Sequence, residues 1–289
     1  MDPRQIVSNL LSGEISDFVQ TEQHQTLIVA EQAICEGHMG IYEDISHNLN
    51  QVEQQIIQFR IAQMSNDANL AQECLANALE NSRSKANRDH LLEARIRMEW
   101  GVLRSSLGQV TEAGVDLRWA VERLGAISEG HRWHGLSLLN MATWHQNRGE
   151  YGMALAMHSE ISRHGPHLVE IVAISRRRAA ELLIEKNHIY SALRNLWIAH
   201  QGFLQTDMTD EAIESGLHWI DLGLTEVSKD APTMENAVKQ ATPRSAGDSK
   251  QRVWIHPDDL SYMYNWINNR TNDTAALAVL DDAHQAIQS

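Results

Sequence analysis

Gly149-Glu150-Tyr151-Gly152-Met153-Ala154 closes one helical pattern and opens the next, and the same phrase returns along the chain. It reads Asn66-Asp67-Ala68-Asn69-Leu70-Ala71, Gly108-Gln109-Val110-Thr111-Glu112-Ala113 and Asn187-His188-Ile189-Tyr190-Ser191-Ala192, with first residues 42, 41 and 38 positions apart. Each phrase begins with Gly or Asn, the residues that best tolerate a left-handed helix end. Each ends in an Ala that faces its partner helix. Self-similarity at this period predicts a stack of helical hairpins in place of one globular core.

Helices are expected at 15–37, 40–64, 67–83, 88–107, 110–127, 131–148, 151–164, 167–186, 189–204 and 208–228. The links are a few residues long, which makes neighbours antiparallel. Residues 1–39 read as N-terminal helices packing on an array at 40–228. Residues 229–253 are polar and read as a linker holding a short helix near Met234–Ala241. Residues 254–289 read as a terminal hairpin that caps the array, opened by His256-Pro257-Asp258-Asp259 and closed by a helix at 273–287.

Composition agrees with an all-α chain: 43% apolar residues and five prolines. The net charge of −14 is unevenly spread. Residues 1–93 hold 14 acids and 5 bases, 94–205 hold 10 and 13, and 206–289 hold 14 and 6. The overall charge argues against nucleic acid as a partner, while the middle third suits an acidic one. Cys35 and Cys74 form no metal or redox spacing, which fits a reducing, cytoplasmic setting. The longest apolar run near the start, Leu27–Ala30, is too short to span a bilayer, so no membrane partner is expected.

The repeated phrase resembles the tetratricopeptide repeat (TPR). The copies are Trp100-Gly101, Gly108, Val110, Ala113, Leu117, Ala120; Met141-Ala142, Gly149, Tyr151, Ala154, His158; and Ala180, Asn187, Ile189, Ala192, Leu196, Ala199. A weaker copy is Phe59, Asn66, Ala68, Ala71, Leu75, Ala78, where Phe59 stands in place of a small residue. Gly101, Ala142 and Ala180 are expected to face Ala113, Ala154 and Ala192, letting helix axes approach closely. The period exceeds the family's 34 by about a turn of helix. The resemblance implies a right-handed superhelix, an α-solenoid of antiparallel hairpins, whose first helices line a concave groove. Mapped onto this chain, the groove is Arg95, Met98, Val102 and Ser105, then Leu139, Thr143 and Gln146, then Arg177 and Glu181. The chaperone-tail subgroup places a Lys, Asn and Arg clamp at such positions. Met98, Val102, Leu139 and Thr143 do not match it.

Fifteen histidines and eight tryptophans suggest other chemistry. His131, His134, His164 and His167 flank one repeat, and His145 and His158 lie within it. A metal site there needs a third ligand, and packing is the plainer account. The tryptophans read as core, with Trp133 and Trp144 as alternative exposed anchors. In Arg176-Arg177-Arg178, Arg177 is spaced to pair with Glu181. No phosphate loop, metalloprotease motif or nucleophile elbow occurs. The expectation is a non-enzymatic scaffold without cofactor that binds a protein or peptide segment and is able to self-associate. A small-molecule or metal sensor on the same scaffold, and a helical enzyme with an unrecognised site, remain open.

Overall fold

The computed structural model describes residues 3–15, 18–84, 88–240 and 254–288. These residues form an all-α protein of fifteen α-helices, with an isolated bridge between Val227 and Ile255 as the only extended pairing among them. The chain divides into two compact units, Met1–Ile127 and Ser128–Ser289. That boundary falls inside the stretch 40–228 read from sequence as one array.

The first unit contains α1 (Pro3–Ser12), α2 (Gln25–Cys35), α3 (Met39–Ile45), a 3-10 turn (Ser46–Asn48), α4 (Gln51–Met64), α5 (Ala68–Arg83), α6 (His90–Ser106) and α7 (Val110–Ser128). Two expected helices are shorter than read. The segment 15–37 is helical only from Gln25. The segment 40–64 breaks because Asn50 starts α4 anew: its side chain accepts from the Val52 and Glu53 N–H groups, and Glu53 accepts in return from the Asn50 N–H.

The second unit contains α8 (Arg132–Asn147), α9 (Tyr151–Glu160), α10 (Val169–Glu185), α11 (Ile189–Gln205), α12 (Thr209–Gly223), α13 (Met234–Gln240), α14 (Pro257–Asn268) and α15 (Thr274–Gln288). Helix α13 lies within the stretch read as a linker, yet Met234 is fully buried in a core with Trp219, Leu260 and Leu280. The short helix expected near Met234–Ala241 is present as α13, packed into that core, and 241–253 fall outside the described residues. The terminal hairpin α14–α15 packs on α12.

The repeated phrase closes each hairpin as its chemistry requires. Asn66, Gly108, Gly149 and Asn187 have φ of 56°, 77°, 74° and 57°. The N–H after each donates to a carbonyl five residues back: Asp67 to Ala62, Gln109 to Arg104, Glu150 to His145 and His188 to Leu183, at 2.8–3.0 Å. The sequence reading missed two more copies. Gly37 and Asp207 are also left-handed, with His38 donating to Ala33 and Met208 to Phe203.

Close approach at the small residues is equally direct. A Cβ added to Gly101 would lie 2.5 Å from Leu117 Cγ, and one on Gly202 would lie 2.8 Å from Ala173 Cβ. Gly101→Ala is therefore expected to destabilise the first unit by about 1–3 kcal/mol, because overpacking outweighs the gain in helix propensity of roughly 1 kcal/mol. Urea unfolding followed by circular dichroism measures this, and a stabilised variant contradicts the close contact.

Two buried histidines give the units opposite pH responses. His24 meets the capping carboxylates Glu53 (2.7 Å) and Asp89 (3.1 Å). Burial alone would lower its pKa, but the hydrogen bonds and charges of Asp89 and Glu53 prevail and raise it to about 9. The stabilisation it gives the first unit is complete below its ordinary pKa of 6.5 and is lost as pH rises through about 9. His158, against Ser175 at 3.1 Å, is lowered to about 4 by burial and by Arg178 and Arg176. The second unit is thus stable with respect to His158 above pH 6.5 and weakens as pH falls through about 4. Amide exchange by mass spectrometry should show α2 and α4 loosening in alkali and α9 and α10 in acid. His24→Asn and His158→Gln should each flatten one response; unchanged pH profiles refute the assignment.

Candidate functional site

The expected groove residues are not equally available. Arg95 is 3% exposed, Met98 1% and Leu139 4%. These three belong to the interior, which corrects the groove reading for them. Val102, Ser105, Thr143, Gln146 and Arg177 are half-buried, and Glu181 is exposed.

The reason is that first helices contact one another through the faces the groove reading used. In the first unit Arg95 of α6 reaches Glu31 of α2 at 3.0 Å and pairs with Glu99 on its own helix. Arg60 of α4 joins both, at 3.4 Å to Glu31 and 3.3 Å to Glu99. Burial opposes ionisation of Glu99, but Arg95 and Arg60 hold its carboxyl below the usual range. In the second unit Arg132 of α8 pairs with Glu170 of α10 at 2.8 Å, and Arg178 of α10 donates to Thr143 of α8 at 2.9 Å. Arg177 bridges Glu181 at 3.8 Å and Glu214 of α12 at 2.5 Å. The expected Arg177–Glu181 pair is present and extended to a third helix.

The histidines and tryptophans mostly serve packing. Trp133 and Trp144 are buried, so neither is an exposed anchor. His145 pairs with Glu150 at 2.7 Å and His158 faces Ser175, so the two take separate partners. The His134 and His167 rings lie 5.3 Å apart, and burial lowers both pKa values, with the His167 charge adding to the effect on His134. Among the described residues no group of three His, Cys, Asp or Glu is placed to hold a metal ion.

Two clefts were not foreseen from sequence. One, about 310 Å³, lies in the second unit between α10, α11 and α13. Val169, Val172, Trp197 and Ile198 form its apolar part, with Arg163, Gln201, Gln205 and the ion-paired Glu235 and Lys239 around it. Gly202 brings α11 against α10 beneath it. Val169 and the neighbouring Leu168 are exposed apolar residues. The volume is at the lower end of the range for ligand sites. The second cleft, about 480 Å³, lies in the first unit between α5, α6 and α7, and is lined by arginines and Trp100. The sequence signal for the first was Trp197 beside polar Gln201 and Gln205. The signal for the second was Arg97, Trp100 and Arg104 at helical spacing.

No protein-family model and no curated protein matches this chain. Among solved structures it is similar to one described as the crystal structure of BtubC (BKLC) from P. vanneervenii. That likeness has 14% identity and a TM-score of 0.45, and spans 93% of this chain and 89% of the other. Likeness at that level assigns no function. Among the described residues no helix is long and apolar enough to cross a membrane.

The buried network yields a prediction. Arg95→Met keeps the bulk of the side chain but strips Glu31 and Glu99 of a partner, and should cost about 3–5 kcal/mol. Urea unfolding of the whole chain measures it. A loss below the ~1 kcal/mol of a surface pair would show that the network carries no weight.

Proposed function

We propose that this chain is a non-catalytic scaffold that holds a segment of another protein. On this reading the hairpins within each unit stack as a tetratricopeptide-like α-solenoid, and the protein works in the cytoplasm. The repeated left-handed closures and the small residues at helix crossings support the repeat reading. The observation that carries the binding reading is the cleft of α10, α11 and α13, lined by apolar Val169, Val172, Trp197 and Ile198 together with charged and amide groups. Apolar side chains of an extended or helical segment suit that apolar lining, and its backbone amides suit Gln201 and Gln205. The binding surface on this reading is displaced from the groove expected by family resemblance, because Leu139 is interior.

The test uses peptides selected by display against the whole chain, with Kd measured by fluorescence polarisation. Val169→Asp places a carboxylate in the cleft at the first turn of α10, where a negative charge suits the helix end and spares the fold. Binding should weaken at least tenfold. Met153→Asp, on exposed surface of α9, should leave Kd unchanged. Failure to select any peptide, or selected peptides that bind both variants equally, refutes this reading.

A further inference from the structure

The cleft between α5, α6 and α7 is built from cations fixed in place. Arg97 of α6 lies over the Trp119 ring, with its Cζ 4.5 Å from the centroid, and Arg104 lies over the Trp100 ring at 5.0 Å. Both donate to the carboxylate of Asp116 on α7, Arg97 through Nη1 at 3.2 Å and Arg104 through Nη1. Asp116 is itself nearly buried, so one internal carboxylate anchors two guanidinium groups whose planes are held by indoles. Arg83 enters from α5 and spends only its Nε, on Glu93 at 2.7 Å.

This arrangement leaves N–H groups over. Each guanidinium has five donors. Each of the three arginines uses a single nitrogen in hydrogen bonds. Arg97 Nε and the Trp100 indole Nε1 are buried and have no hydrogen-bond partner within the protein. A buried donor without an acceptor is unfavourable, so an acceptor supplied by a ligand is favoured there. Ala76 and Leu79 of α5 add a short aliphatic wall. The opposing carboxylates at the cleft are Glu80, exposed on α5, and Asp116, which is spent on Arg97 and Arg104.

We propose that this cleft binds an acidic peptide segment. A Glu or Asp side chain of the segment packs its methylenes on Ala76 and Leu79. Its carboxylate accepts from the spare N–H groups of Arg83, Arg97 and Arg104. The Trp100 indole lines the same cleft, so its N–H signal reports whether the cleft is occupied. This site is separate from the cleft in the second unit, and neither reading depends on the other. It also differs from the groove positions of the family resemblance: Arg97, Trp100 and Arg104 are not among Arg95, Met98, Val102 and Ser105 on the same helix.

The test titrates the full chain with capped hexaglutamate, using capped hexaglutamine and inorganic phosphate as comparisons. The readouts are calorimetry and the Trp100 indole N–H signal by NMR, assigned with Trp100→Phe. Hexaglutamate should bind and shift that signal, and hexaglutamine should not. Ala76→Glu, on exposed helix surface, should weaken binding at least tenfold by placing a competing carboxylate at the cleft. Glu80→Gln should tighten it severalfold by removing the opposing charge. The protein carries a net charge of −14, so general attraction of an acidic probe is absent. Four results each overturn the proposal: no binding of hexaglutamate, equal binding of hexaglutamine, equal affinity in the two variants, or binding of phosphate alone.

Discussion

Cations that reach carboxylates or a hydroxyl on a neighbouring helix tie first helices together, and the arrangement of each unit depends on them. A hairpin can close locally, because its left-handed residue and the following N–H are adjacent in sequence. Nothing local fixes how one hairpin sits on the next. In the first unit His24 lies between Glu53 and Asp89, the acids that cap α4 and α6, while Arg60 and Arg95 join α2, α4 and α6 further along. In the second, Arg132, Arg177 and Arg178 link α8, α10 and α12. Buried pairs such as His24–Glu53 and Arg95–Glu99 add little net stability beside an apolar alternative, but losing one member is severe. The bulk of the folding energy comes from side chains such as Phe59 and Trp219, each worth roughly 1.5–3 kcal/mol on burial. The ion pairs act mainly on register, since a slipped helix strands a charge.

That role has a consequence for binding. A side chain locked between two helices is not available to a partner. Arg95 occupies a position where the family resemblance places a groove contact, yet its guanidinium faces Glu31 and Glu99. Met98 and Leu139 are likewise interior, while Val102, Ser105, Thr143, Gln146, Arg177 and Glu181 keep some exposed surface. Exposed concavity arises instead where a third helix leans on a hairpin, as α13 does on α11 and α5 on α6.

The parts of this fold that were legible in the sequence are those governed by neighbours in the chain. Asn66, Gly108, Gly149 and Asn187 announced their turns because only a few residue types accept positive φ. Gly101 announced its contact because it sits in mid-helix, where glycine costs about 1 kcal/mol without a packing reason. Asp207 hid the same turn behind a commoner residue, and Asn50 hid a helix start inside a continuous helical pattern. The partners of Arg95 and Arg97 were beyond reach for a different reason. Arg95 finds Glu31 64 residues away and Arg97 finds Asp116 19 residues away, and helical periodicity carries no information about which helix a charge will face.

Comparison between copies separates the residues every hairpin needs for packing from those that vary. Shifted by the 41 residues that separate Gly108 from Gly149, Arg97, Trp100, Arg104 and Asp116 correspond to Leu138, Met141, His145 and Met157. The closing turn and the small residues survive that shift; the cleft set does not. A hairpin of this design therefore packs without Arg97, Arg104 and Asp116, so the architecture alone does not require them. Three charges and an indole have been placed where another copy uses mostly apolar side chains, at a desolvation cost the repeat does not need. In the first unit those residues converge on one cleft.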